Sequence, residues 1–200
     1  MKKIMFNDKY QLTKAVLEGR KTMTRRIVPI DLHNSTDWRA VESGDYIAVE
    51  NRDGDFIDIR NCGNYSVGEV VAISQSYNDI YEELKRTHGS SSYVTRQFFH
   101  KYIQGGRMPV SNKMFVRAEA MPNHIRITDI KVERLKDISD DDCLKEGVQR
   151  AGYGYYVRGK SDIIGLSAKS VFEILIDKIS GKGTFESNPW VFVYSFELIK

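Results

Sequence analysis

The densest group of chemistry-bearing side chains in this 200-residue sequence is Gly19-Arg20-Lys21-Thr22-Met23-Thr24-Arg25-Arg26. Four cations follow directly on a helix-stopping glycine, and such a cluster invites an anion. Arg20, Arg25 and Arg26 are therefore candidate ligand- or phosphate-binding residues. Lys21 and Thr24 are three apart, so on one turn of helix they share a face, whereas on a flat strand they point to opposite sides. On a shared, desolvated face Lys21 would lose its proton near neutral pH and activate the Thr24 hydroxyl as a nucleophile. Glu146 is the second unusual residue. It falls in the last turn of a short helix, where a carboxylate meets the negative end of the dipole, so it is either an exposed carboxylate that tolerates a small cost or one with a role outside that helix.

Composition narrows the chemistry further. Hydrophobic residues make up 41% of the chain and the net charge is only +3, enough for a core and inconsistent with a highly charged disordered chain. The charge is uneven. Residues 1–30 hold eight cations against two carboxylates, and residues 136–146 hold five carboxylates against two lysines. Such a basic segment facing an acidic one suits a groove that steers phosphate-bearing ligands. His33, His88, His100 and His124 are scattered, and Cys62 and Cys143 stand alone, so neither a metal site nor a disulfide framework is expected. No phosphate loop or dinucleotide fingerprint occurs, and no cofactor is expected. No apolar run reaches membrane-spanning length and the N-terminus lacks a signal-peptide stretch, so the expectation is a soluble, cytoplasmic protein without a membrane partner. The oligomeric state is left open.

Several elements must position these residues. Asn7 caps an expected helix over about 8–18, stopped by Gly19. Segments 45–50 and 55–60 read as a hairpin turning at Arg52-Asp53-Gly54. Residues 68–76 read as a central strand, and 113–118 as another. Residues 79–112 read as a helical insertion, with helices at 79–87 and around 93–103. In the strand at 124–134 the apolar parity switches near Thr128-Asp129, which requires a bulge or bend. Ser139 starts the helix that carries Glu146, and residues 168–180 form an amphipathic helix stopped by Gly181. The last strand, 190–199, is apolar on both faces at its start and is expected to lie centrally. Short strands with interspersed helices and no regular β-α-β alternation indicate an α+β fold.

Gly19-x-Lys21-x-x-Thr24-x-Arg26 resembles the GxKxxExR signature of the ASCH domain, a relative of the PUA fold, with threonine where many members have glutamate. Residues 65–72, 130–148 and 188–197 are similar to further segments of long bacterial and prophage ASCH proteins. The resemblance implies a single domain over 1–200, a small mixed β-barrel flanked by helices, with the signature residues at a cleft for RNA or a nucleoside. One branch of the family hydrolyses N4-acetylcytidine with Lys and Thr at the positions of Lys21 and Thr24, and its acidic residue aligns with Glu146. Three functions follow as expectations. The first is an RNA- or nucleoside-binding module, in which Trp38, Tyr153, Tyr155 or Tyr156 stack on bases. The second is an amidohydrolase for an acylated, modified nucleoside, with Lys21, Thr24 and Glu146 catalytic. The third is a phage-associated interaction protein, favoured by an exposed apolar patch over 79–112.

Overall fold

A computed structural model describes residues 1–28, 40–43, 46–50, 56–58, 62–105, 110–159 and 162–199. Its centre is a five-stranded mixed sheet of β1 (Lys3–Ile4), β6 (Val70–Ile73), β7 (His124–Arg134), β11 (Trp190–Ile199) and β2 (Met23–Ile27), in that spatial order. β1 runs parallel to β6 and the other pairs are antiparallel. β11 lies between β7 and β2, which explains why its first half is apolar on both faces: Val191, Phe192, Val193 and Tyr194 are all buried. The parity switch in β7 is a true irregularity. Ser195 pairs with Asp129 and Phe196 with Ile127, so Thr128 is skipped and the inward face changes there.

Two three-stranded antiparallel sheets accompany the main one. The first joins β3 (Ala40–Ser43), β4 (Tyr46–Glu50) and β5 (Phe56–Asp58), with Ala48 opposite Asp58; the expected turn at 52–54 and Trp38 lie outside the described residues. The second joins β8 (Gln149–Ala151), β9 (Gly154–Val157) and β10 (Ile163–Gly165). The fold is mixed α+β. The expected closed barrel is not formed among the described residues, where β1 and β2 remain the two edges of the main sheet.

The expected first helix is broken in two. Asn7 accepts from the Lys9 amide and caps a 3₁₀ turn over Asp8–Tyr10; Gln11 then turns left-handed (φ 53°) and α1 runs from Leu12 to Leu17. Helices α2 (Tyr77–His88) and α3 (Tyr93–Phe98, continued as a π-helix through Gln104) form the insertion. They close a small core of their own, in which Tyr77, Ile80, Val116 and Met121 pack beside Ala72 of β6, and leave Tyr93 and Val94 exposed. Residues 113–118 are not a strand. Asn112 accepts from the Met114 amide to start a 3₁₀ turn over Lys113–Phe115, and the Lys113 ammonium is anchored to the Phe6 carbonyl and Asp8. Helix α4 (Asp140–Lys145) begins on the Ser139 hydroxyl, and α5 (Ala168–Ser180) on a Ser167–Ser170 capping box. The i, i+3, i+4 spacing of Val171, Phe172, Leu175 and Ile176 buries one face of α5 in the main core. A short α6 (Thr184–Ser187) leads into β11. Among the described residues no helix is long and apolar enough to cross a membrane, and no His/Cys/Asp/Glu group could hold a metal ion.

Candidate functional site

Lys21 reaches its position because the chain around it is tied on both sides. Gly19 (φ +72°) ends α1, the Arg20 and Lys21 amides both donate to Ala15 O, and the Thr22 amide donates to Lys145 O at the end of α4. Phe196 of β11 donates in turn to Thr22 O. This lashing sets Lys21 opposite Glu146, the residue that ends α4. The Lys21 Nζ donates to Glu146 Oε2 at 2.5 Å, to Glu146 O at 2.8 Å and to Met23 O at 2.7 Å, with the Phe6 ring centroid 5.8 Å away. Only 2% of Lys21 is exposed. Its three protons thus have three acceptors, the arrangement of the ammonium form. Burial pushes the Lys21 ammonium below its ordinary value, and the Glu146 carboxylate offsets part of that push.

Arg25 supports Glu146 from behind. Its Nε and Nη2 donate to Glu133 Oε1 at 3.1 and 2.6 Å, Nη2 also to Asp142 Oδ2 at 3.0 Å, and Nη1 to Glu146 Oε1 at 3.3 Å. The last donor, also on Nη1, meets Met23 Sδ at 3.4 Å. Glu133 comes from β7, Asp142 from α4 and Glu146 from the α4 cap, so one guanidinium joins three carboxylates of distant sequence origin. Lys131 and Lys145 close the outer side of the network on Glu133 and Asp142. Burial works against ionisation of Asp142, yet hydrogen bonds from Lys145 and Arg25 and the charge of Lys131 hold its carboxyl below the ordinary value. Glu146 thus sits against the helix dipole because two buried cations, rather than its own helix, stabilise it.

These residues border a hollow of about 470 Å³, within the size range of small-molecule sites. Lys21, Thr24, Arg25, Arg26 and Glu146 all line it. Phe172, Leu175 and Ile176 of α5 supply an apolar wall, and Lys3, Asn64 and Tyr65 also border the hollow. The Tyr65 ring meets Tyr194 edge-on at 5.2 Å, and the Tyr194 hydroxyl accepts from the Asn64 amide at 3.0 Å. Both phenols lie above their ordinary values because burial disfavours the phenolate.

Four expectations about the site require correction. Lys21 and Thr24 do not share a helical turn, since Thr24 lies in β2 and pairs with Tyr194 of β11. Strand alternation puts Thr24 and Arg26 on one face of β2 and Arg25 on the other. Both Lys21 and Thr24 border the hollow, but among the described residues no hydrogen bond joins the Lys21 ammonium to the Thr24 hydroxyl. Arg20 does not line the hollow; it folds back onto Glu18, with Nε and Nη2 on Glu18 Oε2. Arg25 lines it, but all five of its donors are occupied, so it organises the carboxylates rather than offering itself to an anion. The tyrosines expected to stack on bases lie elsewhere. Tyr153 projects fully from the β8–β9 turn, while Tyr155 and Tyr156 face the guanidinium groups of Arg150 and Arg158. Cys143 is inert, its thiol pushed up to about 12 chiefly by burial.

Spacing alone did not single out Lys3, Tyr65, Glu133 or the apolar wall from α5. For Glu133 a signal was available, because it stands two residues after Lys131 on one strand and so shares its face. Comparisons with protein-family models, with curated proteins and with solved structures find no match.

Gly147 offers a local check on this geometry. It follows Glu146 at φ +108°, and a Cβ there would lie 3.2 Å from Leu12 Cδ2 and 3.7 Å from the Lys21 Cδ. Gly147→Ala combines backbone strain with pressure on the Lys21 stem, and is expected to lower stability by about 1–2 kcal/mol. Urea denaturation followed by circular dichroism measures this, and an unchanged midpoint would show that the turn tolerates a side chain.

Proposed function

We propose that the hollow binds a nucleoside unit, either free or as an unpaired residue of RNA, and that the chain is an ASCH-type, PUA-like domain. The observation that carries this reading is the convergence of Thr24, Arg26 and the buried Lys21–Glu146 pair on one hollow of about 470 Å³ with an apolar wall. A nucleobase matches such a lining, because it has flat apolar faces and an edge of donors and acceptors. The Thr24 hydroxyl, which has no hydrogen-bond partner among the described residues, is left to read that edge, and the half-buried Arg26 borders the same hollow. The PUA-like assignment rests on the resemblance around Lys21, Thr24 and Arg26 and agrees with a mixed sheet whose edge strand carries Thr24 and Arg26. Titrating nucleosides and a short single-stranded RNA into ¹⁵N-labelled protein tests the reading. Amide shifts concentrated at residues 21–26, 65 and 146–147 are expected, and their absence at millimolar ligand would refute it.

An amidohydrolase is the second reading, favoured by the 2.5 Å Lys21–Glu146 contact beside Thr24. In that reaction the Thr24 Oγ1 attacks the acyl carbon of an N4-acylated cytidine while Lys21 takes the hydroxyl proton. Lys21 then returns the proton to the departing amino group, and water hydrolyses the acyl-threonine to the free acid. In this reading Arg26, which borders the hollow, stabilises the oxyanion. The reaction requires Lys21 first to release one of the three protons it now donates and to turn towards Thr24. Mass spectrometry of N4-acetylcytidine incubated with the protein separates the two readings: cytidine and acetate in equal amounts establish hydrolysis, and intact substrate leaves binding alone.

A further inference from the structure

Among the described residues, five charged side chains line the hollow: Lys3, Lys21, Arg25, Arg26 and Glu146. Lys21 and Arg25 are matched by Glu146, Glu133 and Asp142. Lys3 and Arg26 are different, because among the described residues neither meets a carboxylate. The Lys3 ammonium donates only to the neutral carbonyls of Met114 and Val116, at 2.6 and 2.9 Å, which leaves one proton unused. Arg26 donates through Nη2 to Met5 O at 2.6 Å, leaving Nε, Nη1 and the second Nη2 proton without an acceptor among the described residues. Its guanidinium also lies 6.0 Å from the centroid of the buried Phe6 ring, which backs it from inside. Two half-buried cations, joined through the Lys3–Phe6 segment, thus border the hollow without counter-charge among the described residues.

We infer that the ligand of this hollow carries a phosphate, held by Arg26 and Lys3 at its rim. This deepens the nucleoside-binding reading and rests on it. The Arg26 fork supplies paired donors suited to phosphate oxygens, and Lys3 adds a point charge. Lys21 and Arg25 are not available for this task, because every proton they carry already has an acceptor. The same chemistry can come from a nucleoside 5′-monophosphate or from the phosphodiester of an RNA strand.

Isothermal titration of the four ribonucleosides, their 5′-monophosphates and a six-nucleotide single-stranded RNA tests the inference and separates the two sources. Phosphate-bearing ligands are expected to bind at least about tenfold more tightly than the nucleosides. That preference is expected to shrink towards unity in Arg26→Gln, and to fall partway in Lys3→Gln and Arg26→Lys. A preference seen with the monophosphates identifies a free nucleotide; one seen only with the hexamer identifies the RNA backbone. Nucleosides binding as tightly as both phosphate-bearing ligands would overturn the inference and leave the nucleoside reading standing. Failure of every compound to bind would overturn that reading as well. Circular dichroism of each variant guards against loss of fold, and the half-buried position of both side chains favours intact variants.

Discussion

Replacing Arg25 by methionine is expected to lower the unfolding free energy by about 3–5 kcal/mol, among the largest effects of any single substitution in this protein. The side chain is 1% exposed and holds carboxylates from β7, from α4 and from the α4 cap. Without it, Glu133, Asp142 and Glu146 remain close together with only Lys21, Lys131 and Lys145 to balance them. Lys131 and Lys145 are about half exposed, and such pairs contribute roughly 0–1 kcal/mol each, so they cannot replace the guanidinium. For a chain of this size the loss corresponds to a fall of about 10 °C in Tm. Adding Glu133→Gln and Asp142→Asn to Arg25→Met removes most of the unpaired charge and is expected to restore much of the stability. Differential scanning calorimetry of the single and triple variants checks both statements, and a Tm unchanged in the single variant would sink the account of Arg25 as an organiser.

The same network gives stability a pH dependence with a defined sign. The Asp142 carboxyl lies below its ordinary value in the folded protein. Its contribution is therefore fully present above the ordinary carboxylate range and is lost as the pH falls through the folded value. A falling urea midpoint on acidification below that range is expected, with a smaller pH dependence in Asp142→Asn.

The second large effect concerns the buried pair at the floor of the hollow. Lys21→Met leaves Glu146 with one cation instead of two, and Glu146→Gln removes the negative charge facing a 2%-exposed ammonium. Each is expected to lower stability by about 3 kcal/mol, because each strands a buried charge. The double variant Lys21→Met/Glu146→Gln is expected to lose less than the sum, with an interaction energy of about 1–3 kcal/mol. Chemical denaturation of the four proteins completes this cycle; simple additivity would mean that the 2.5 Å contact contributes nothing specific. Ligand binding is expected to be lost in both single variants, since Lys21 and Glu146 form the polar floor.

Much of the scaffold was legible before any coordinates. The amphipathic run at 168–180 is the helix α5 over the same residues, and the apolar final strand does lie inside the sheet. The parity break in β7 is the irregularity at Thr128. These readings work because periodicity reports which faces are buried, and burial is a local record of the environment. The strand expected at 113–118 fails for the complementary reason. Met114 and Phe115 are apolar yet exposed, and a short polar cap at Asn112 with a distant lysine anchor decides the local structure.

Residue types and order by themselves determined that a basic segment follows α1, that Glu146 stands where its own helix disfavours it, and that a mixed α+β scaffold carries both. Only the tertiary structure decided how four neighbouring cations divide their work. Arg20 turns back to Glu18, Lys21 goes to Glu146, Arg25 binds three carboxylates, and Arg26 has no acidic partner among the described residues. The physical reason is the distance along the chain. The carboxylate partners of Lys21 and Arg25 lie 108 to 125 residues away, and pairing at that range depends on sheet register and helix docking, which local spacing does not encode.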